Sequence, residues 1–266
     1  MTDSTKQKVR KIDSAGEHVT KSTVMRDETE RFEQVYSLNL NGRVKAANIS
    51  GDIKVTTWES PQVRLVATKT AENPERLKDM ELKIESTPDS FSVKVKYRNS
   101  DKDDDDDGYW RNSGRMSVEY ELTVPRTAVL EGISSVSGDI SVDGAGNDTK
   151  ISSVSGDVKG SNLGGTAKLS SVSGDVEADF SNIAAGSDIR LNSVSGSVNL
   201  KLPSYAGATV RASTVSGKIT NDFGLAVDEG KYVGASMKGT FGDGSVNVKL
   251  STVSGRIDVS KGGTAQ

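Results

Sequence analysis

Six near-copies of one ten-residue phrase fill the second half of this 266-residue chain, and they restrict its fold more than any other feature. ISSVSGDISV (133–142), ISSVSGDVKG (151–160) and LSSVSGDVEA (169–178) are followed by LNSVSGSVNL (191–200), ASTVSGKITN (212–221) and LSTVSGRIDV (250–259). With the glycine as reference the series runs Gly138, Gly156, Gly174, Gly196, Gly217 and Gly255, in steps of 18, 18, 22, 21 and 38 residues. The long last step is expected to hold an excursion or a degenerate repeat around GKYVGASMKGTFGDG. An earlier copy, ANISGDIKVTTW, puts Gly51 in the same series, 87 residues before Gly138. A unit this short cannot bury its own apolar face, but units stacked at the ~4.8 Å strand spacing share one continuous core.

Alternation inside the repeat assigns the residues to faces. Two before the glycine stand Val136, Val154, Val172, Val194, Val215 and Val253, with Ile49 in the early copy. Two after it stand Ile140, Val158, Val176, Val198, Ile219 and Ile257, with Ile53. Both sets share the glycine's parity, so both are expected to point inward. Leu169, Leu191 and Leu250, five before the glycine, and Ala167, Ile189 and Val248, seven before, have the opposite parity. The phase change is therefore expected near the paired hydroxyl residues, as at Ser170–Ser171, where two short strands meet at a corner. At roughly 1.5–3 kcal/mol per buried aliphatic side chain, about four per repeat suffice to hold a stack. The expected fold is all-β: a β-solenoid, a single-stranded β-helix-like stack of SVSGD rungs with a β-rich N-terminal insertion or cap. A β-sandwich of hairpins is the competing reading.

Composition shifts near Pro125. Residues 1–125 carry 44 charged side chains and five glycines, and residues 126–266 carry 27 and 22. Three parts are expected: a flexible polar tail (1–31), a β-rich part with the first rung and a charged insertion (32–125), and the repeat stack (126–262). VRLVATKT, MELKIES, FSVKVKY and MSVEYELTV alternate as strands do. STPDS supplies turn chemistry at Pro88 and Asp89, and NPERLKDM (73–80) reads as a short helix with Asn73 as cap and Pro74 in its first turn.

With no cysteine, the chain forms no disulfides, thiolate metal sites or cysteine nucleophiles, and a lone His18 leaves little room for imidazole chemistry. The net charge of -3 argues against a dedicated nucleic-acid binder. No apolar run approaches the ~20 residues of a transmembrane helix, and the opening MTDSTKQKVRK has no signal-peptide h-region, so a cytoplasmic location stays open. Six aspartates stand between Asp101 and Asp107. They read as a solvated loop rather than a calcium site, because spaced ligands and a central glycine are missing. Tyr109 and Trp110 follow at once, as a sugar- or partner-contact patch or as residues packed on a neighbouring strand.

The repeated SVSGD motif, the preceding VEYELTVPRTAVL segment and the early ISGDIKV rung together resemble the bacterial candidate-adhesin family called domain of unknown function 4097, over roughly residues 35–260. The resemblance implies a β-solenoid akin in shape to the pectate-lyase helices, a cell-envelope or extracellular location and no established catalytic residues.

Stacking turns equivalent positions into columns. One reads Asp139, Asp157, Asp175, Ser197, Lys218 and Arg256; another is serine throughout, with Ser137, Ser155 and Ser173 beside those aspartates. These groups either bond the backbone at each corner or bind calcium or sugar. Carboxylates ~4.8 Å apart in water repel by only on the order of 1 kcal/mol, so a ladder needs no cation. An aspartate ladder matches glycosidase carboxylate spacings by coincidence, Lys159 and Lys168 fit ordinary outward strand positions, and a mostly serine array does not suit ice binding. The expectation is a non-catalytic adhesin-like module without cofactor or metal, contacting an envelope polysaccharide or surface protein through Asp139, Asp157, Asp175, Ser137, Ser155, Ser173, Tyr109 and Trp110. The alternative is a scaffold that self-associates through exposed solenoid edges, and a lesser one is calcium-dependent polysaccharide binding or cleavage.

Overall fold

The computed structural model describes residues 27–98, 115–230 and 234–262. The chain opens with β1 (Glu28–Ser37), which starts inside the stretch expected to be a tail and pairs antiparallel with the strand at 62–71. β2 (Arg43–Ser50) and β3 (Ile53–Trp58) form the early repeat. β4 (Gln62–Ala71), α1 (Pro74–Asp79), β5 (Met80–Thr87), β6 (Ser90–Tyr97) and β7 (Met116–Pro125) make up the insertion. The repeats then give β8 (Val129–Ser137) and β9 (Ile140–Asp143), β10 (Thr149–Ser155) and β11 (Val158–Leu163), and β12 (Ala167–Ser173) and β13 (Val176–Phe180). They continue with β14 (Asp188–Ser195) and β15 (Val198–Pro203), then β16 (Ala208–Ser216) and β17 (Ile219–Asn221). A short β18 (Val227–Glu229), β19 (Ala235–Phe241) and the last repeat, β20 (Val246–Ser254) with β21 (Ile257–Gly262), complete the chain.

These strands form two large mixed sheets. A ten-stranded sheet has the order β1-β4-β7-β3-β9-β11-β13-β15-β21-β17, and an eleven-stranded sheet the order β18-β19-β16-β20-β14-β12-β10-β8-β2-β6-β5. Every repeat gives its first strand to the eleven-stranded sheet and its second to the ten-stranded one, in parallel register with its neighbours: Leu169 pairs with Ile151 and Leu191, and Val176 with Val158 and Val198. The core lies between the sheets, where Ile151, Leu169, Leu191 and Leu250 meet Val158, Val176, Val198 and Ile257, all buried. The 38-residue step has a spatial consequence. The last repeat slots between the two before it, since β20 pairs with β14 on one side and β16 on the other.

The corner does not fall at the paired serines. Inward alternation runs through Ala167 and Leu169 to Ser171, and it resets across Ser173–Gly174–Asp175 before Val176 and Ala178 turn inward again. Gly174 has φ +155, and a Cβ there would collide with the carbonyl oxygen of Gly156 in the layer below. The valines two before the glycine therefore point outward, contrary to expectation. Val172 is 49% exposed and Val215 58%, while the hydroxyl residues at Ser135, Ser153, Ser171, Ser193, Thr214 and Thr252 are buried in their place. Parity counted through a glycine that turns the chain assigns the wrong face.

Both ends of the stack carry non-repeat chain. At one end β6 continues the eleven-stranded sheet parallel to β2 and β5 closes it antiparallel, while β7 continues the other parallel to β3, and β4 and then β1 close it antiparallel. The β5–β6 turn falls at Pro88–Asp89, as expected from STPDS. Asn73 caps α1, its side-chain oxygen accepting from the Arg76 amide at 3.0 Å. At the other end β19 lies antiparallel on β16, the three-residue β18 forms the edge, and Phe223 stacks on Phe241 with centroids 3.9 Å apart. A short edge strand carrying Asp228 and Glu229 offers little template for further pairing.

Candidate functional site

The corner columns perform backbone chemistry. The Asp52 carboxylate accepts from the Asp139 amide, Asp139 from Asp157, and Asp157 from Asp175, each at 2.8 Å, and Asp175 accepts from Ser197 at 2.7 Å. Each aspartate thus ties its repeat to the next through one carboxylate oxygen. The buried hydroxyls close the other half of the corner. Ser171 Oγ donates to the Gly156 carbonyl at 2.9 Å, Ser193 to Gly174 at 2.9 Å, Thr252 to Gly196 at 2.8 Å and Thr214 to Gly255 at 3.1 Å. In the early repeat Asn48 replaces the hydroxyl, its Nδ2 donating to the Gly51 carbonyl at 2.9 Å. A buried hydroxyl without a partner is costly, so these bonds explain why Ser, Thr or Asn stands where the alternation would accept an aliphatic residue.

Ser137, Ser155 and Ser173 are exposed at the corner, next to their aspartates. Tyr109, Trp110, His18 and the Asp101–Asp107 run lie outside the described residues. Among the described residues, no group of three His, Asp or Glu side chains is arranged to hold a metal ion. Two shallow hollows among the described residues have volumes of about 190 and 320 Å³. One is lined by Glu131, Asp148, Lys150 and Lys168, the other by Arg43, Lys45, Glu85 and Glu131, so both open on the outer face of the eleven-stranded sheet.

That face carries what the sequence reading does not single out. Lys150 pairs with Lys168, Lys168 with Arg190, Arg190 with Lys249, Lys249 with Arg211, and Arg211 with Lys238 on β19. All six are exposed. They form an uninterrupted basic column across six strands, about 24 Å long at the sheet spacing. Among the described residues one ion pair touches it, Arg190 Nη2 to Asp188 Oδ2 at 2.8 Å within β14. At the end nearer β2 the column stops at Glu131, which lies 3.1 Å from Lys45 Nζ and 3.8 Å from Arg43. Next to it runs an uncharged column: Ser152, Ser170, Asn192, Ser251, Ser213 and Ser236. Beyond that stand the exposed valines of the corner. The signal is in the repeat, because Lys45, Lys150, Lys168, Arg190, Arg211 and Lys249 all sit six residues before the reference glycine.

The outer face of the ten-stranded sheet differs. Glu177 lies 3.2 Å from Lys159 Nζ and 3.3 Å from Lys201 Nζ. Burial pushes its carboxyl up, but the hydrogen bonds and charges of Lys159 and Lys201 outweigh this and hold it below the ordinary glutamate value. Thr220 donates to Asp258 at 2.5 Å, and Asn162 to Asp143 at 2.8 Å.

Comparison with known proteins adds the lineage. The model of the family described as Toastrack DUF4097 matches residues 39–260. Among solved structures, a candidate cell adhesion protein from Clostridium sporogenes is similar at 15% identity and a TM-score of 0.50, over 88% of this chain and 100% of that one. A candidate adhesin from Bacteroides fragilis is similar at 15% identity and a TM-score of 0.45, over 86% and 97%. A candidate lipid binding protein from Parabacteroides distasonis is similar at 14% identity and a TM-score of 0.32, over 88% and 97%. At these identities the likeness bears on fold alone. No curated protein matches the chain.

Proposed function

Since the chain belongs to the Toastrack DUF4097 family, we propose that it is a non-catalytic, adhesin-like interaction module of the bacterial cell envelope, built as a β-solenoid and binding through a repetitive polar face. The observation that carries this reading is the outer face of the eleven-stranded sheet. In-register strands there present the same residue types again and again on a rigid frame, as basic, hydroxyl and valine columns. Such a face suits a partner that repeats too, because weak contacts add when the frame holds them at a fixed spacing. The corner aspartates and buried hydroxyls serve the frame. Among the described residues no helix is long and apolar enough to cross a membrane.

The test is co-sedimentation of the purified protein with isolated bacterial envelopes, beside a protein-only tube, with calcium or with chelator. The expected result is pelleting with envelopes alone and indifference to chelator. Protein that remains in the supernatant with envelopes overturns the reading, and protein that pellets by itself points to self-assembly instead.

A further inference from the structure

We propose that the column Lys150, Lys168, Arg190, Lys249, Arg211 and Lys238 is the binding site for a linear acidic polysaccharide, lying along the stack with its carboxylates set against the basic side chains. The inference rests on the interaction-module reading and names its ligand class and its site.

Three observations carry it. The first is sign. Like charges directly opposite on neighbouring strands disfavour the sheet, and here five successive strand pairs place cation against cation. Only Arg190 has an acidic neighbour within ion-pair distance among the described residues, so the column offers nearly all of its charge to an outside anion. The second is spacing. Strands repeat every ~4.8 Å, so the column sets its cations at regular intervals along one line, and an extended polymer with a carboxylate on every sugar can meet several of them at once. The third is the neighbouring column. Ser152, Ser170, Asn192, Ser251 and Ser213 are small hydroxyl and amide groups able to exchange hydrogen bonds with sugar hydroxyls, and none of them carries a charge.

The competing polyanions fit less well. Single-stranded nucleic acid is held by aromatic side chains that stack on bases, and among the described residues this face has none beside the basic column. An anionic membrane is met by Trp, Phe and Leu set beside basic residues, whereas the aliphatic residues here are half-exposed valines a full column away.

The experiment uses the full chain and measures binding to polygalacturonate, with neutral dextran, single-stranded DNA and phosphatidylserine vesicles as comparisons. Two triple variants have the same change in net charge: K168E/R190E/K249E on the proposed site and K54E/K159E/K201E on the opposite face. Circular dichroism first establishes that both are folded. The wild type is expected to bind polygalacturonate and not dextran, with affinity falling steeply as salt rises. The site variant is expected to lose roughly tenfold or more in affinity and the opposite-face variant less than about threefold, because several contacts on one rigid face are removed together. Equal losses in both variants overturn the proposal, as does wild-type binding to DNA or vesicles that matches or exceeds binding to the polymer. The envelope assay separates this inference from the reading beneath it. Failure to bind polygalacturonate with intact envelope pelleting sinks the ligand and leaves the module. Polymer binding without envelope pelleting sinks the envelope role and leaves the site.

Discussion

On the ten-stranded sheet the outward column one residue into each repeat strand reads Glu121, Lys54, Ser141, Lys159, Glu177, Asn199, Asp258 and Thr220. On the eleven-stranded sheet the corresponding column reads Lys150, Lys168, Arg190, Lys249, Arg211 and Lys238. The first mixes signs and hydroxyls, and Glu177 there joins Lys159 and Lys201. The second is of one sign over six strands. Both faces come from the same repeats and the same core, so burial cannot account for the contrast. A face that neutralises its own charge adds a little to stability; a face that accumulates one sign gives up a little stability and keeps its charge for something outside the molecule. A net charge of -3 averages over the two and conceals both.

The most severe way to break the comparison is to remove the corner that separates the faces. Gly174→Ala adds a Cβ that collides with the Gly156 carbonyl at a backbone angle few side chains adopt. Strain and overpacking together are expected to cost about 3–5 kcal/mol, lowering the melting temperature by about 10 °C. Thermal unfolding followed by circular dichroism checks this, and a melting temperature within about 2 °C of wild type would contradict the corner geometry.

Inside and outside at the same corner are separated by adjacent residues. Ser171→Ala leaves the Gly156 carbonyl without its hydroxyl donor and is expected to cost about 1–2 kcal/mol. Val172→Asp, on the half-exposed neighbour, is expected to cost less than about 1 kcal/mol. An inward Val172 predicts the reverse order, so paired denaturant titrations decide between the two placements.

That reversal marks the limit of what is legible in the sequence. The period, the two strands per repeat, the turn at Pro88–Asp89 and the cap at Asn73 are readable because each depends on local chemistry. Val172 is misplaced by parity because apolar residues are often left outside, and because a buried Ser171 looks wrong until its bond to the layer below is known. The insertion of the last repeat between two earlier ones leaves no trace in the repeat itself, since every first strand fits beside every other. Five members of the basic column, Lys150, Lys168, Arg190, Arg211 and Lys249, are visible in the sequence six residues before a reference glycine. The column passes as a set of ordinary outward lysines because its meaning lies in the stacking of six strands, which only the register supplies.

Mirror-image charge reversals sharpen the contrast at lower cost. Lys168→Glu converts two like-charge neighbours, Lys150 and Arg190, into opposite-charge ones and is expected to raise stability by about 0.2–1 kcal/mol. Glu177→Lys does the opposite between Lys159 and Lys201 and is expected to lower it by a similar amount, about 0.2–1 kcal/mol. Denaturant midpoints at low salt should move in opposite directions, and both shifts should shrink as salt screens the surface. Shifts of the same sign would mean that the two faces do not differ electrostatically in the way their columns indicate.

The smallest effect isolates the self-neutralised face by pH. The Glu177 carboxyl is held below its ordinary value by Lys159 and Lys201 despite partial burial, so the folded state binds its proton less readily than the unfolded state. A depressed folded pKa contributes stability above the unfolded carboxylate value of about 4.3 and loses it as pH falls through the folded value. Because the group is partly solvated, the contribution is expected to be only a few tenths of a kcal/mol, roughly that of a surface pair. Glu177→Gln should therefore be slightly less stable than wild type at neutral pH, and the gap should close as acid protonates the wild-type carboxylate. Unfolding titrations of the two proteins from neutral pH into acid measure the gap directly. A gap that widens toward acid would mean that Lys159 and Lys201 do not hold Glu177 in its charged form.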